Sequence, residues 1–432
     1  MTVTQIYFLT RCCMDNNLFS KAYDLYDAQQ YQEAFDIWSR MDDSPEAMYN
    51  AGLILIKRLI VVSNHWNSAY NFFKKAIDLG DKHADYYANA NYYLGLILKD
   101  KFGEKYYNDA VYRFHDAIMG GNKDAINSVI KLAELGNIEA LSLLTWCYCY
   151  GHGTEKDRNE AEKWGLIAYD AGERYESLHC LGWIYREKGE NEKAFRYLKE
   201  SACSGNDADY GPLGDMYRQG LGTSVNYTEA IKWYSKGAEA GHEDARYYLG
   251  LMHLRGMGCK KNKEEALKCF SKVVDSGNAD FIQAIALHYH SKSDGIYDPK
   301  YAIKLWEYAA AKGNKVACVN LGIVLYSGEN IPQDYNRAYK LFKQAESEPV
   351  ALEYLGLCHY WGHGCPKDEK LAKQYFVSSL NGGNEYARRY LTSDKDLRPY
   401  SKWDMKEKGA EILGGAAAFL MGSIFSAIGG DD

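Results

Sequence analysis

The feature that most constrains this chain is a sequence pattern that recurs about every 36 residues. In addition to five clear repeats, two repeats begin near residues 140 and 177, and degenerate copies begin near residues 47 and 88. Periods of this size are typical of solenoids, propellers and helical arrays. The pattern therefore favours a stack of small units over one central core. The five clearest repeats begin at Asp209, Ala245, Phe281, Ala317 and Ala351.

The first half of each repeat predicts a helix that another helix crosses. A Leu-Gly pair recurs there at one position, although a Gly inside a helix costs about 1 kcal/mol relative to Ala. Its recurrence indicates that a crossing helix requires a small residue at that point. The pairs are Leu94–Gly95, Leu181–Gly182, Leu213–Gly214, Leu249–Gly250, Leu321–Gly322 and Leu355–Gly356.

The second half of each repeat predicts a capped helix. An Asp or Asn stands four residues before a recurring Ala, where its side-chain oxygen can accept the free N–H groups of the first helical turn. A Gly-x-Gly loop comes before this helix in four repeats, and a Gly suited to a left-handed cap closes it. The predicted N-caps are Asp157, Asn226, Asn262, Asp298, Asp334 and Asp368, and the predicted closing glycines are Gly205, Gly241, Gly277, Gly313 and Gly383.

These motifs together resemble the Sel-one-like repeat, a member of the tetratricopeptide-like helical repeats. The resemblance rests on Ala-x3-Leu-Gly-x2-Tyr-x2-Gly-x-Gly, followed by Asp-x3-Ala and a helix closed by Gly. It is strong over residues 140–390 and weak over residues 31–139, and the repeat at 177–208 lacks the Gly-x-Gly loop. The resemblance implies an all-α, right-handed α-solenoid of antiparallel helix pairs. It also implies that the first helices line a concave side and that there is no catalytic machinery.

The repeat pattern divides the chain into five segments. Residues 1–43 are predicted to form N-terminal tetratricopeptide-like helices, and residues 44–139 are predicted to form degenerate repeats. Residues 140–390 are predicted to form the well-formed repeats. A C-terminal capping helix is predicted over residues 391–413, and residues 414–432 form a glycine-rich apolar tail.

The apolar tail carries no charge up to residue 430, and small residues recur in it every four positions. Small residues at this spacing allow close helix packing in membranes, but the five glycines make the run a marginal membrane span. Three interpretations stay open. The tail caps the last repeat, or it attaches to a membrane or associates with a partner or a second copy through residues 414–430, or it is unstructured.

Charge and cysteine content narrow the class of protein. The 51 basic and 58 acidic residues give a net charge of −7, which argues against nucleic-acid binding. The 11 scattered cysteines fit free thiols in a reducing cytosol better than a disulfide framework. Because no secretory signal is evident at the N-terminus, we expect a cytoplasmic protein, membrane-associated only if the tail attaches it.

No motif predicts a cofactor or a catalytic residue. The Gly-x-Gly loops lack a preceding strand and the further glycine of a nucleotide-binding motif, and no Ser/His/Asp combination stands in a catalytic context. The densest group of metal-ligand residue types is Cys358, His359, His363 and Cys365, with a similar half at Cys147–His152. Because these residues occupy equivalent positions of two repeats, the repeat itself explains the coincidence. Zinc binding is therefore the lesser alternative, and we expect no bound metal.

A candidate binding surface follows from the helical period. Residues three before, one after and four after the Leu-Gly glycine form one stripe on the first helix, and Trp, Tyr and Arg are enriched at binding hot spots. We therefore predict that a protein or peptide binds along this stripe, while shielding by neighbouring helices stays an open alternative. The predicted partner-binding residues are His179, Trp183, Arg186, Asp215, Arg218, Tyr247, Leu251, His290, Tyr326, Glu353 and Tyr360.

The sequence as a whole predicts a non-enzymatic solenoid that binds a protein or peptide on its concave surface. It would act as an adaptor or as an inhibitor of the immunity-protein type. One alternative is a membrane-associated factor attached through the apolar C-terminal tail. A second alternative is a metal-binding protein that uses the Cys/His loop clusters.

Overall fold

The computed structural model describes residues 17–82 and 85–392, and every regular element in these ranges is a helix. The all-α prediction is therefore confirmed for the described part of the chain. The helices group into two compact units, the first ending at Asp209 and the second beginning at Tyr210. Residues 221–223 belong to the first unit.

In the first compact unit, consecutive helices pack against each other in pairs: α3 on α4, α5 on α6, α8 on α9, and α10 on α11. The single helix α7 lies between the second and third pairs. The helices are α1 (17–27), α2 (Tyr31–Trp38), α3 (Pro45–Ile56), α4 (His65–Leu79), α5 (Asp85–Ile97), α6 (Tyr107–Met119), α7 (Ala125–Glu134), α8 (Ile138–Tyr150), α9 (Arg158–Asp170), α10 (Glu176–Glu187) and α11 (Asn191–Cys203).

The second compact unit continues the same pairing, from α12 on α13 through α20 on α21. No helix in residues 17–82 or 85–392 is long and apolar enough to cross a bilayer. The helices are α12 (Tyr210–Gln219), α13 (Tyr227–Ala240), α14 (Glu243–Arg255), α15 (Lys263–Ser276), α16 (Ala279–His290), α17 (Pro299–Ala311), α18 (Lys315–Ser327), α19 (Tyr335–Gln344), α20 (Pro349–Trp361), α21 (Glu369–Asn381) and α22 (Arg388–Thr392).

The recurring glycine of the first helix lies against a large side chain of the second helix, as predicted. A Cβ atom on Gly250 would stand 2.7 Å from the ring of Phe270, which is too close for any real Cβ. Six other repeats show the same approach, so the glycine is a steric requirement of the helix crossing. The pairs are Gly52 with Phe73, Gly95 with Phe114, Gly182 with Leu198, Gly214 with Tyr234, Gly322 with Phe342, and Gly356 with Phe376.

In one repeat the glycine lies on the second helix and the larger residue lies on the first. On α8 the glycine is replaced by Thr145, and the opposite position on α9 is Gly165 in place of a ring. A Cβ on Gly165 would stand 3.1 Å from Cγ2 of Thr145, so here the second helix supplies the small residue. The combined volume of the two facing side chains therefore limits how closely the helices can approach, whichever helix carries the glycine.

The predicted helix caps are confirmed. Asp157, for example, accepts hydrogen bonds from the backbone N–H groups of Asn159 and Glu160 at 2.9 and 3.1 Å. The closing glycine Gly241 has a φ of 106°, in the left-handed region that favours Gly. The same cap hydrogen bond is made by Asn226, Asn262, Asp298, Asp334 and Asp368, and positive φ also occurs at Gly205, Gly277, Gly313 and Gly383.

The predicted C-terminal segments fall almost entirely outside the described residues. Of the predicted capping helix at 391–413, only residues 391 and 392 are described, as the end of α22. The apolar tail at 414–432 lies wholly outside. The division of the chain into five segments therefore stays a prediction.

The close approach at Gly250 predicts the effect of a larger side chain there. We expect Gly250→Leu to lower the free energy of unfolding by about 1–3 kcal/mol, because the added side chain must displace the Phe270 ring. Thermal and denaturant melts followed by circular dichroism measure this effect. Arg255→Leu, which adds the same residue at an exposed position of α14, is the matched control. Equal melting of the two variants would contradict the steric role of Gly250.

Candidate partner-binding site

Five of the eleven predicted partner-binding residues are buried. Each is at most 5% exposed, because neighbouring helices cover it, so a partner cannot reach these side chains in this conformation. At these five positions the stripe is therefore shielded by neighbouring helices, which is the alternative that the sequence left open. The buried residues are Asp215, Tyr247, Leu251, Tyr326 and Glu353.

The buried polar members of this set serve the packing between helices. Asp215 accepts a hydrogen bond from the Tyr234 hydroxyl at 2.7 Å and forms an ion pair with Arg218 at 2.7 Å. Glu353 accepts a hydrogen bond from Asn384 at 2.7 Å. Such internal partners satisfy polar groups that burial would otherwise leave without hydrogen bonds. The hydroxyls of Tyr247 and Tyr326 likewise lie 3.1 Å from His288 and 2.9 Å from His363.

The remaining six predicted residues are half-buried, and three of them share one face of α10. His179 and Trp183 meet edge to face with ring centroids 6.2 Å apart. The guanidinium of Arg186 lies 4.9 Å from the Trp183 ring centroid, within cation–π range. The spacing of four and three residues places these side chains in one row along the helix.

Aromatic residues of α8 and its following loop extend this row. The ring of Trp146 stacks on His152 with centroids 4.2 Å apart and lies 5.9 Å from Tyr150. The Tyr150 hydroxyl lies 3.1 Å from Nε2 of His179 and thereby joins α8 to α10. We call the half-buried residues Trp146, Tyr150, His152, His179 and Trp183 the aromatic face.

The α8 part of the aromatic face was not among the residues predicted from the sequence. Trp146 follows Thr145 just as Trp183 follows Gly182, so the two tryptophans occupy the same position in their repeats. Because Thr145 replaces the Leu-Gly glycine in this repeat, the stripe, which was defined relative to that glycine, did not include residues of α8. Alignment of Trp146 with Trp183 by the repeat period alone would have identified it.

A buried carboxylate fixes His179 within the aromatic face. Nδ1 of His179 donates a hydrogen bond to Oδ1 of Asp209 at 2.7 Å, and the Asp209 side chain is fully buried. Burial alone lowers the pKa of His179, but the hydrogen bond and the charge of Asp209, with the charge of Glu176, outweigh it and raise the pKa above its ordinary value. When the ring is neutral, Nε2 accepts a hydrogen bond from the Tyr150 hydroxyl. When the ring is protonated, Nε2 donates a hydrogen bond to the Tyr150 oxygen.

The half-buried residues of the second compact unit make other ring contacts. His290 on α16 lies 5.1 Å from the Trp306 ring, and burial lowers the pKa of His290. Tyr360 on α20 meets Trp361 edge to face at 4.9 Å. Arg218 donates to the Tyr234 hydroxyl at 3.0 Å in addition to its ion pair. Each of these contacts is made between residues of the same helix pair.

The Cys/His loop cluster separates in the structure. The Cys358 side chain is fully buried, while Nδ1 of His359 lies 3.5 Å from Sγ of Cys365 and the His363 ring stacks on a tyrosine at 3.9 Å. The similar group at Cys147–His152 divides in the same way between core and surface. In the part of the chain that the structure describes, no three His, Cys, Asp or Glu side chains are arranged to hold a metal ion.

Comparison with known proteins places these repeats in a family context. A family model described as Sel1 repeat matches eight segments of the chain. The matched residues are 45–81, 138–173, 179–206, 212–242, 243–278, 284–314, 315–348 and 349–384. A solved Sel1 repeat protein from Oxalobacter formigenes is similar with a TM-score of 0.51 and 20% identity, over 81% of this chain and 93% of that chain. This likeness supports the same repeat fold.

Curated relatives also match by sequence. An uncharacterized Sel1-like repeat-containing protein of Schizosaccharomyces pombe is 23% identical over 260 residues, 55% of this chain and 39% of the relative. The ERAD-associated E3 ubiquitin-protein ligase component HRD3A of Arabidopsis thaliana is 36% identical over 81 residues, 18% of this chain and 12% of the relative. The chain thus spans well under half the length of these relatives.

The contact between His179 and Asp209 predicts a measurable titration. We expect Asp209→Asn to lower the pKa of His179, because it removes the buried negative charge. Imidazole chemical shifts in ¹H–¹⁵N NMR spectra report this pKa. Because the folded-state pKa is raised, the stabilisation by the ion pair is full below the ordinary pKa of 6.5 and is lost as the pH rises through the raised value. Asp207→Asn, an exposed carboxylate of the same turn, is the control. An unchanged titration in Asp209→Asn would contradict the ion pair.

Proposed function

The chain belongs to the Sel1 repeat family, and from this premise we propose that it is a non-enzymatic adaptor whose aromatic face binds a protein or peptide partner. Sel1 repeat proteins generally mediate protein–protein interactions and are typically scaffolds or adaptors. A helical repeat array offers long surfaces for binding because its packing contacts are made between neighbouring repeats. Its remaining faces are therefore free to vary with the partner.

The single observation that carries this proposal is the half-exposed cluster of rings on α8 and α10. Trp and Tyr are enriched among the residues that dominate binding energy, and Arg186 adds a third such residue type beside Trp183. The ring contacts among Trp146, Tyr150 and His152 hold the side chains in place before a partner arrives. Binding then costs less side-chain entropy than it would on a flexible surface.

An adaptor role within a larger assembly agrees best with the named relatives. HRD3A is named as a component of an E3 ubiquitin-protein ligase, and we propose by analogy that this chain also works as one component among several. A reducing compartment, as in the cytoplasm, suits the nine described cysteines, all of which are free thiols. Because the chain matches only a part of HRD3A, the partner is to be found by experiment.

The proposal predicts which substitutions weaken partner capture. We expect Trp183→Ala and Trp146→Ala to weaken binding by about 30-fold each, because hot-spot truncations typically cost about 2 kcal/mol. The measurement is affinity capture with quantitative mass spectrometry, followed by titration of the enriched protein against each purified variant.

The matched control is Tyr112→Ala, which removes a ring that is 64% exposed on α6 and lies outside the aromatic face. Circular dichroism of each variant confirms that the helices remain. If folded Trp146→Ala and Trp183→Ala proteins capture the same partners as the control with equal affinity, the aromatic face is not the binding surface.

A further inference from the structure

Two buried cysteines from neighbouring repeats meet behind the aromatic face. Cys149 lies in the last turn of α8 and Cys180 lies within α10. They are 2% and 0% exposed, and they share a small apolar cluster with Ala161 and Ile184. Within this cluster their sulfurs lie within hydrogen-bonding reach of each other. Two thiols that belong to different helix pairs are therefore already in contact without a bond between them.

The surroundings distinguish the two sulfurs. The Cys180 thiol donates to the Cys149 sulfur, and Arg158, His179 and Lys156 add positive charge nearby, so the pKa of Cys149 is lowered although burial opposes this. The hydrogen bond to Cys149, burial and the negative charges of Glu176 and Asp209 act in the opposite direction on Cys180 and raise its pKa.

Cys147 shows what burial does without such neighbours. It stands two residues before Cys149 on the same helix and is fully buried. Burial raises the pKa of its thiol to about 12. The contrast between the two cysteines therefore arises from the contacts of Cys149 and not from its place on α8.

We propose that Cys149 and Cys180 form a hydroperoxide-sensitive dithiol site that closes to a disulfide between adjacent repeats. The Cys149 thiolate attacks one oxygen of hydrogen peroxide, the O–O bond breaks, and hydroxide leaves as Cys149 becomes a sulfenic acid. The Cys180 sulfur then attacks the Cys149 sulfur. The S–S bond forms, the S–O bond breaks, and the hydroxyl leaves with the Cys180 proton as water. Two thiols lose two electrons, which the hydroperoxide accepts.

Burial limits the size of the oxidant that can reach these two sulfurs. Because both sulfurs are almost inaccessible, an oxidant close to water in size, such as hydrogen peroxide, reaches them more readily than a bulky disulfide. The resulting bond would join α8 to α10, the two helices that supply the aromatic face. Oxidation would thus fix the spacing between Tyr150 and His179, while the chemistry itself does not depend on any partner.

The test uses the full reduced chain and hydrogen peroxide as the probe. After exposure, denaturing alkylation and mass spectrometry are expected to show a loss of two hydrogen atoms and a peptide that links Cys149 to Cys180. Dithiothreitol is expected to reverse the change. In Cys180→Ser, whose hydroxyl can still donate to the Cys149 sulfur, the reaction is expected to stop at a Cys149 sulfenic acid, which dimedone traps.

Cys147→Ala is the matched control, because it removes a buried thiol from the same helix and is expected to leave the linked peptide unchanged. Circular dichroism establishes that each variant is folded. The proposal is overturned if the linked peptide is absent, or if Cys149 reacts no faster than Cys147 in the folded protein. The readout is covalent mass, so its failure is distinct from a failure of partner capture.

Discussion

In seven helix pairs of the described chain, the two helices cross where a glycine on the first helix meets a large side chain on the second. The approach is so close at Gly322 that a Cβ atom would stand 2.5 Å from the Phe342 ring. A glycine in the middle of a helix costs about 1 kcal/mol in helix propensity, so its retention at this position reflects a gain in packing. The buried ring fills the space that the glycine leaves, and dense interiors tolerate little change in volume.

The position of this crossing also determines which residues of the first helix lie at the surface. Because the glycine faces inward, the residue after it lies to one side on the first helix, where Trp183 follows Gly182 and Trp146 follows Thr145. Both tryptophans are half-buried and have ring or cation contacts that hold them in place. Beneath them, the Tyr150–His179–Asp209 hydrogen bonds connect two repeats. Packing, the aromatic face and the buried dithiol thus share the same two helices.

The sequence predicted the features that depend on local chemistry. The N-cap at Asp157 and the left-handed Gly241 follow from backbone rules that act within a few residues. Exposure of the binding stripe depends on side chains far along the chain, such as Tyr234 on Asp215 and Asn384 on Glu353, and a helical period contains no information about them. The aromatic face was predicted only in part, because the stripe was defined by the Leu-Gly glycine, which Thr145 replaces in the repeat that contains Trp146.

If the glycine recurs at the helix crossing because of the ring opposite it, the effects of substitutions at Gly322 and Phe342 must be coupled, and a double-mutant cycle measures this coupling. In the wild-type chain, Gly322→Ala should lower the free energy of unfolding, because the new Cβ displaces the ring. In a Phe342→Ala background the ring is absent, so the same change should raise the free energy of unfolding by up to about 1 kcal/mol through helix propensity. A change of sign between the two backgrounds would show that the Phe342 ring makes the glycine necessary. An equal effect of Gly322→Ala in both backgrounds would contradict it.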